Sequence, residues 1–133
     1  MMNLSLSGIP ENLASIIEEL RAEYPLDGEA DSISVIFEPG AQDGVVEVSL
    51  RDGVATIRYD SPAQACRGLG ALLAGIVKPG EPHVEQTSFA TMGIMLDCSR
   101  NAVMTAAHFK GWLRRLALLG YNMAMLYTED KKP

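Results

Sequence analysis

Several things are scarce in this chain of 133 residues, and each scarcity excludes a class of protein. There are two cysteines, Cys66 and Cys98, one expected in a helix and the other at a strand end. Two thiols so placed make neither a disulfide framework nor a metal motif, and they suit a reduced, cytoplasmic setting. The two histidines, His83 and His108, have no Cys, His or carboxylate partner at ligand spacing, so neither a metal nor any other cofactor is expected. His83 is expected to lie exposed in a Pro-rich loop. The longest apolar stretch, about nine residues from Leu69 to Val77, contains Gly70 and Gly75, and a membrane span needs roughly twenty. The first ten residues lack the apolar core of a signal peptide. Positive charge is thin in the first part of the chain. Residues 1–90 carry 5 Lys and Arg against 14 Asp and Glu, whereas residues 91–133 carry 6 against 3. A balance of −9 argues against nucleic acid or an anionic membrane as partner. The change of sign, together with five of the seven Met falling after residue 91, places a boundary near residues 86–92.

With 47% hydrophobic residues the chain can bury a core. Asn3–Ser7 alternates weakly, as a short edge strand does. Helical spacing of Leu13, Ile16, Ile17, Leu20 and Tyr24 predicts a helix over Pro10–Tyr24, with Glu18, Glu19, Arg21 and Glu23 facing water. Ser32–Glu38 reads as a strand. Val45–Leu50 and Val54–Tyr59 alternate around Asp52-Gly53, two residues that tolerate positive φ and signal a hairpin. Ser61 and Pro62 suit the cap and first turn of a second helix, running to about Val77 with Ala65, Leu69, Leu72, Leu73 and Ile76 as its stripe. Gly68-Leu69-Gly70 lies inside that helix rather than at its start. It is therefore read as small residues allowing close packing on a sheet, not as a phosphate loop. His83–Gln86 is a further short strand. The expected fold is α+β: two helices on one face of a mostly antiparallel sheet over residues 1–90, then one β-α-β unit over residues 91–133.

That last unit carries the chemistry. Gly93-Ile94-Met95-Leu96 runs into Asp97, Ser99, Arg100 and Asn101; Met123-Ala124-Met125-Leu126-Tyr127 runs into Thr128, Glu129 and Asp130. Between them Thr105–Leu119 reads as a helix with a stripe of Phe109, Trp112, Leu113 and Leu116, closed by Gly120. Parallel strands that end in polar residues build sites at their C-terminal rim. Asp97, Glu129 and Asp130 are the expected acidic rim partners, with Asp97 or Asp130 expected to pair with Arg100.

The segments Gly-Ile-Met-Leu-Asp-Cys-Ser-Arg-Asn-Ala (93–102), Leu-Ala-Leu-Leu-Gly-Tyr-Asn (116–122) and Leu-Tyr-Thr-Glu-Asp (126–130) resemble the first strand, first helix and second strand of the (β/α)8 barrel of glycoside hydrolase family 20, the β-N-acetylhexosaminidases. The Tyr-Thr-Glu-Asp ending is similar to the bacterial, intracellular-type subgroup. Upstream, the hairpin and the helix from Ser61 resemble the family's accessory α+β domain. The resemblance implies an enzyme that removes terminal β-linked N-acetylhexosamine. In that mechanism the substrate's acetamido oxygen attacks, and an adjacent Asp-Glu pair on the fourth barrel strand orients the acetamide and protonates the leaving group. It further implies that Arg100 contacts sugar hydroxyls, that glycans are the parent's partners, and that six more barrel units follow Pro133 in the parent. No catalytic residue is expected within these 133. Without the remaining strands, the apolar β-α-β surface (Ile94, Leu96, Met123, Met125 and the helix stripe) is expected to self-associate. A stand-alone binding or interaction module is the alternative reading.

Overall fold

The computed structural model describes residues 1–100 and 102–129. Seven strands and three helices occur among them: β1 (Leu4–Ser7), α1 (Glu11–Arg21), β2 (Ile33–Pro39), β3 (Val45–Arg51), β4 (Val54–Tyr59), α2 (Pro62–Leu73), β5 (His83–Gln86), β6 (Gly93–Asp97), α3 (Ala106–Leu118) and β7 (Met123–Tyr127).

The fold is α+β. Alternation in β2, β3 and β4 puts Ile33, Val35, Phe37, Val46, Val48, Leu50, Ala55, Ile57 and Tyr59 on one buried face, while Ser34, Ser49 and Arg58 stay exposed on the other. Leu13, Ile17 and Leu20 of α1 and Leu69 and Leu72 of α2 join those side chains in one core, so both helices cover the same face. Each such buried aliphatic side chain contributes roughly 1.5–3 kcal/mol relative to an exposed one, which is enough to fix which face turns inward.

Five strands form a mixed sheet in the order β1-β2-β4-β3-β5. The β3–β4 and β3–β5 pairings are antiparallel, and β1–β2 and β2–β4 are parallel. The hairpin follows from local chemistry. Asp52 and Gly53 both have positive φ, at 50° and 75°, as a two-residue turn matching the strand twist demands. The parallel pairings need crossovers: α1 carries the chain from β1 to β2, and β3 returns it from β2 to β4; α2 then carries it from β4 over to β5 on the far side of β3. β6 and β7 form a separate two-stranded parallel sheet joined by α3.

Three expectations are corrected. α2 stops at Leu73 rather than near Val77, because Gly75 takes φ +69° directly after the cap residue Ala74 and turns the chain out of the helix. Ile76 therefore leaves the stripe and is 46% exposed. Gly68 does lie against the sheet, facing Ile57, Val46 and Val48, but Gly70 faces the Leu118 backbone of α3. The dipeptide glycines so serve two interfaces on opposite sides of one helix. In α3, Trp112 and Leu113 are about 40% exposed, as expected of an uncovered stripe, but Leu116 of the same stripe is buried, as is Leu118. Capping agrees with the sequence: the Ser61 hydroxyl accepts from Gln64 N, and the Thr105 hydroxyl from His108 N.

Candidate functional site

The C-terminal ends of β6 and β7 lie side by side, with Asp97 in register with Tyr127 and Cys98 N donating to Tyr127 O at 2.8 Å. Parallel pairing brings both strands' last side chains to one edge. There Asp97 Oδ1 accepts from the Ser99 hydroxyl and, at 2.8 Å, from Ser99 N, a local turn that aspartate favours. Arg100 Nε lies 3.5 Å from Asp97 Oδ2. The Ser99 hydroxyl and backbone N–H, with Arg100 behind them, hold the Asp97 carboxyl below the usual carboxylate range. Asp97 is thus a charged anchor at neutral pH rather than a proton donor.

Across the rim the Tyr127 hydroxyl donates to Glu129 Oε1 at 2.7 Å. The Glu129 carboxylate, helped by the charge of Asp97, pushes the Tyr127 phenol upward, so it stays a neutral donor. Arg100 pairs with Asp97, while Glu129 pairs with Tyr127. Asp130 lies outside the described residues. The Arg100 side chain is 88% exposed, so its planar guanidinium reaches solvent at the strand ends. A fork of five N–H donors beside the anchored Asp97 can bind paired hydroxyls. The sequence marks Ser99 as a polar residue of the rim without assigning it a partner, and it gives Tyr127 no role there. The signal for Ser99 was its place two residues after an Asp; Tyr127 was hidden at the end of an apolar run.

Among the described residues no group of three or more His, Cys, Asp and Glu is placed to hold a metal. Cys66 is buried and its thiol is pushed up to about 11, which makes it a packing residue rather than a nucleophile. No helix among the described residues is long and apolar enough to cross a membrane.

The opposite, N-terminal end of the strand pair is closed by one side chain. Asn122 Oδ1 accepts from Met92 N at 2.8 Å, Asn122 Nδ2 donates to Ala90 O at 2.9 Å, and its own N–H reaches Met92 O. Gly93 follows, packed so closely on Met123 that a Cβ would fall 2.9 Å from the Met123 carbonyl oxygen. Asn122 is therefore the register pin of β6 on β7. Asn122→Ala should cost about 1 kcal/mol, the net worth of such bonds near a surface. Hydrogen exchange should speed up in 93–97 and 123–127 and stay unchanged in 45–59; unchanged rates in both strands would show that the pin is idle.

No protein-family model matches the chain, and no curated protein does. Solved structures do match. The chain is similar to a GH20 exo-β-N-acetylglucosaminidase from Vibrio harveyi in complex with N-acetylglucosamine, with TM-score 0.67 and 16% identity over 96% of this chain and 22% of that one. An inactive mutant of an enzyme so described, also from Vibrio harveyi, matches with TM-score 0.66 and 16% identity over 93% of this chain and 21% of that one. The chain thus has a GH20-like fold and spans about a fifth of the length of the structures it matches.

Proposed function

We propose that this chain is the N-terminal portion of a β-N-acetylhexosaminidase of glycoside hydrolase family 20. Residues 1–90 are its accessory α+β domain and residues 91–133 begin its catalytic barrel. The observation that carries this reading is a coincidence of two independent facts. The fold is GH20-like over nearly the whole chain, and Asp97, Arg100, Tyr127 and Glu129 gather at the C-terminal ends of two parallel strands. That edge is where barrel enzymes place their sites. In the intact enzyme Arg100 binds sugar hydroxyls, Asp97 and Ser99 hold its loop, and the substrate is a glycan ending in β-linked N-acetylhexosamine. A cytoplasmic setting suits the two free thiols.

The 133 residues alone do not hydrolyse such a glycan. Neighbouring-group attack still needs an acid at the leaving oxygen and a carboxylate on the acetamide. No Asp-Glu dipeptide occurs in the sequence. Glu129-Asp130 has the reverse order, and on an extended backbone such neighbours point to opposite faces. Arg100 supplies hydrogen bonds of order 1–3 kcal/mol, against the ~8 kcal/mol or more by which enzymes lower a barrier. Purified chain should release no nitrophenol from an aryl N-acetyl-β-glucosaminide. In an enzyme that continues past residue 133, Arg100→Ala should lower kcat/KM by roughly 10- to 100-fold. Turnover by the 133 residues that disappears in Arg100→Ala would overturn the reading, as would an extended enzyme indifferent to that change.

Self-association belongs to the same reading. Ile94 and Leu96 of the expected patch are half-buried, whereas Met95, Met123, Met125, Leu126 and Tyr127 are 41–64% exposed on a two-stranded sheet. Further barrel units would cover them in the intact enzyme; without those units, an apolar surface with open strand edges drives association.

A further inference from the structure

Two chain segments lead into the strands of the β6–β7 pair: β5 of the main layer, whose end feeds the connector to β6, and the end of α3, which feeds β7. One side chain touches both. Arg67, on α2, donates through Nε and Nη2 to the two oxygens of Glu85 in β5, each at 2.7 Å. Its Nη1 points to the Leu118 carbonyl at the end of α3, at 3.4 Å. The stem of Arg67 lies over Gly120, whose position would put a Cβ 3.5–3.8 Å from the Arg67 Cβ, Cγ and Cδ. A cation on the last carbonyls of a helix meets both their unsatisfied lone pairs and the negative end of the dipole.

We infer that Arg67 is a positioning residue, the joint through which the five-stranded layer fixes where the β6–α3–β7 unit stands. It is well built for that task. Fork-to-carboxylate pairing fixes direction as well as distance. Arg67 and Glu85 are only 21% and 32% exposed, so water competes weakly. His83 Nε2, 2.8 Å from Glu85 Oε1, braces the carboxylate from its own strand, which corrects the expectation of an exposed loop histidine. The Arg67 guanidinium, followed by His83, holds the Glu85 carboxyl below its ordinary range, so the joint is closed at neutral pH and opens as pH falls through that depressed value. Arg114 makes the other polar bridge from α3, to Glu19 and Glu23 of α1 at 3.1 and 3.8 Å. The Arg114 side chain is only 19% exposed, but those carboxylates are 71% and 40% exposed, so that bridge is screened at its acidic side and Glu19 is a natural control.

The inference does not depend on the glycosidase reading, and hydrogen exchange tests it without any substrate. Arg67→Ala should speed exchange about tenfold in 93–97, 106–118 and 123–127 while leaving 33–39 and 54–59 at their wild-type rates, because local opening is separable from global unfolding. Glu85→Gln should move the same amides in the same direction. Arg67→Lys, which keeps the charge and loses the fork, should fall between, and Glu19→Gln should change little. If Arg67→Ala does not fold, Glu85→Gln and Arg67→Lys decide the matter. Equal acceleration in both sheets would show that Arg67 only adds global stability, and wild-type rates in α3 and β7 would show that it positions nothing; either overturns the inference.

Discussion

Gly68→Ala and Gly70→Ala should both destabilise the protein, although Ala is the better helix former. Helix propensity favours Ala over Gly by about 1 kcal/mol in a helix interior. Space decides against it here. A Cβ at 68 would fall 2.7 Å from Ile57 Cγ2 and 3.2 and 3.3 Å from methyl groups of Val46 and Val48, in the tightest part of the core. A Cβ at 70 would meet the Leu118 carbonyl oxygen inside van der Waals contact and its carbon at 3.0 Å. Methyl groups move with their side chains, but the Leu118 backbone moves only with α3. Overpacking of this kind costs about 1–3 kcal/mol, a Tm loss of roughly 4 °C for each kcal/mol in a chain this size. The two variants should differ in where the damage appears. Gly68→Ala loosens α2 on the sheet and lowers protection of β3 and β4. Gly70→Ala lifts α3 from α2 and exposes 106–118 first. A rise in Tm for either variant would mean that propensity outweighs space and that the close approach is wrong.

Leu69→Ala should be the most damaging of these substitutions. Leu69 is fully buried between the two glycines and belongs to the same cluster as Val46, Val48 and Ile57. Removing its isopropyl group forfeits transfer energy and leaves a cavity, together about 2–5 kcal/mol. Neighbours fill such a cavity poorly when backbone holds them, and α2 is held from both sides, by the sheet at Gly68 and by α3 at Gly70. The cost therefore belongs in the upper half of that range. Leu119→Ala, at a residue 56% exposed, should cost under ~1 kcal/mol. Urea unfolding followed by circular dichroism gives both numbers. A Leu69→Ala midpoint close to that of Leu119→Ala would contradict the packing described.

The features legible in the sequence act within a few residues of themselves. Asp52-Gly53 determined its own turn, because two residues that accept positive φ between alternating runs leave the backbone little else to do. Ser61-Pro62 and Thr105 determined where two helices begin, through hydroxyls three residues from the N–H groups they cap. The contacts at the rim are local in the same way, although the Tyr127–Glu129 pair was not read from sequence: Asp97, Ser99 and Arg100 meet inside one turn, and Tyr127 meets Glu129 two residues on. Tertiary structure decided what depends on distant partners. Nothing local tells β2 to lie beside β4 rather than β3, which makes the sheet mixed. Alike in sequence, Gly68 and Gly70 separate only when a sheet and a third helix close on opposite sides of α2. Arg67 finds Glu85 18 residues away and Leu118 51 residues away, and His83 leaves its expected loop because β5 pairs with β3 and turns it toward Glu85. Turn and cap chemistry is written in neighbouring residues, whereas packing sums small energies over contacts that exist only after the chain has closed on itself.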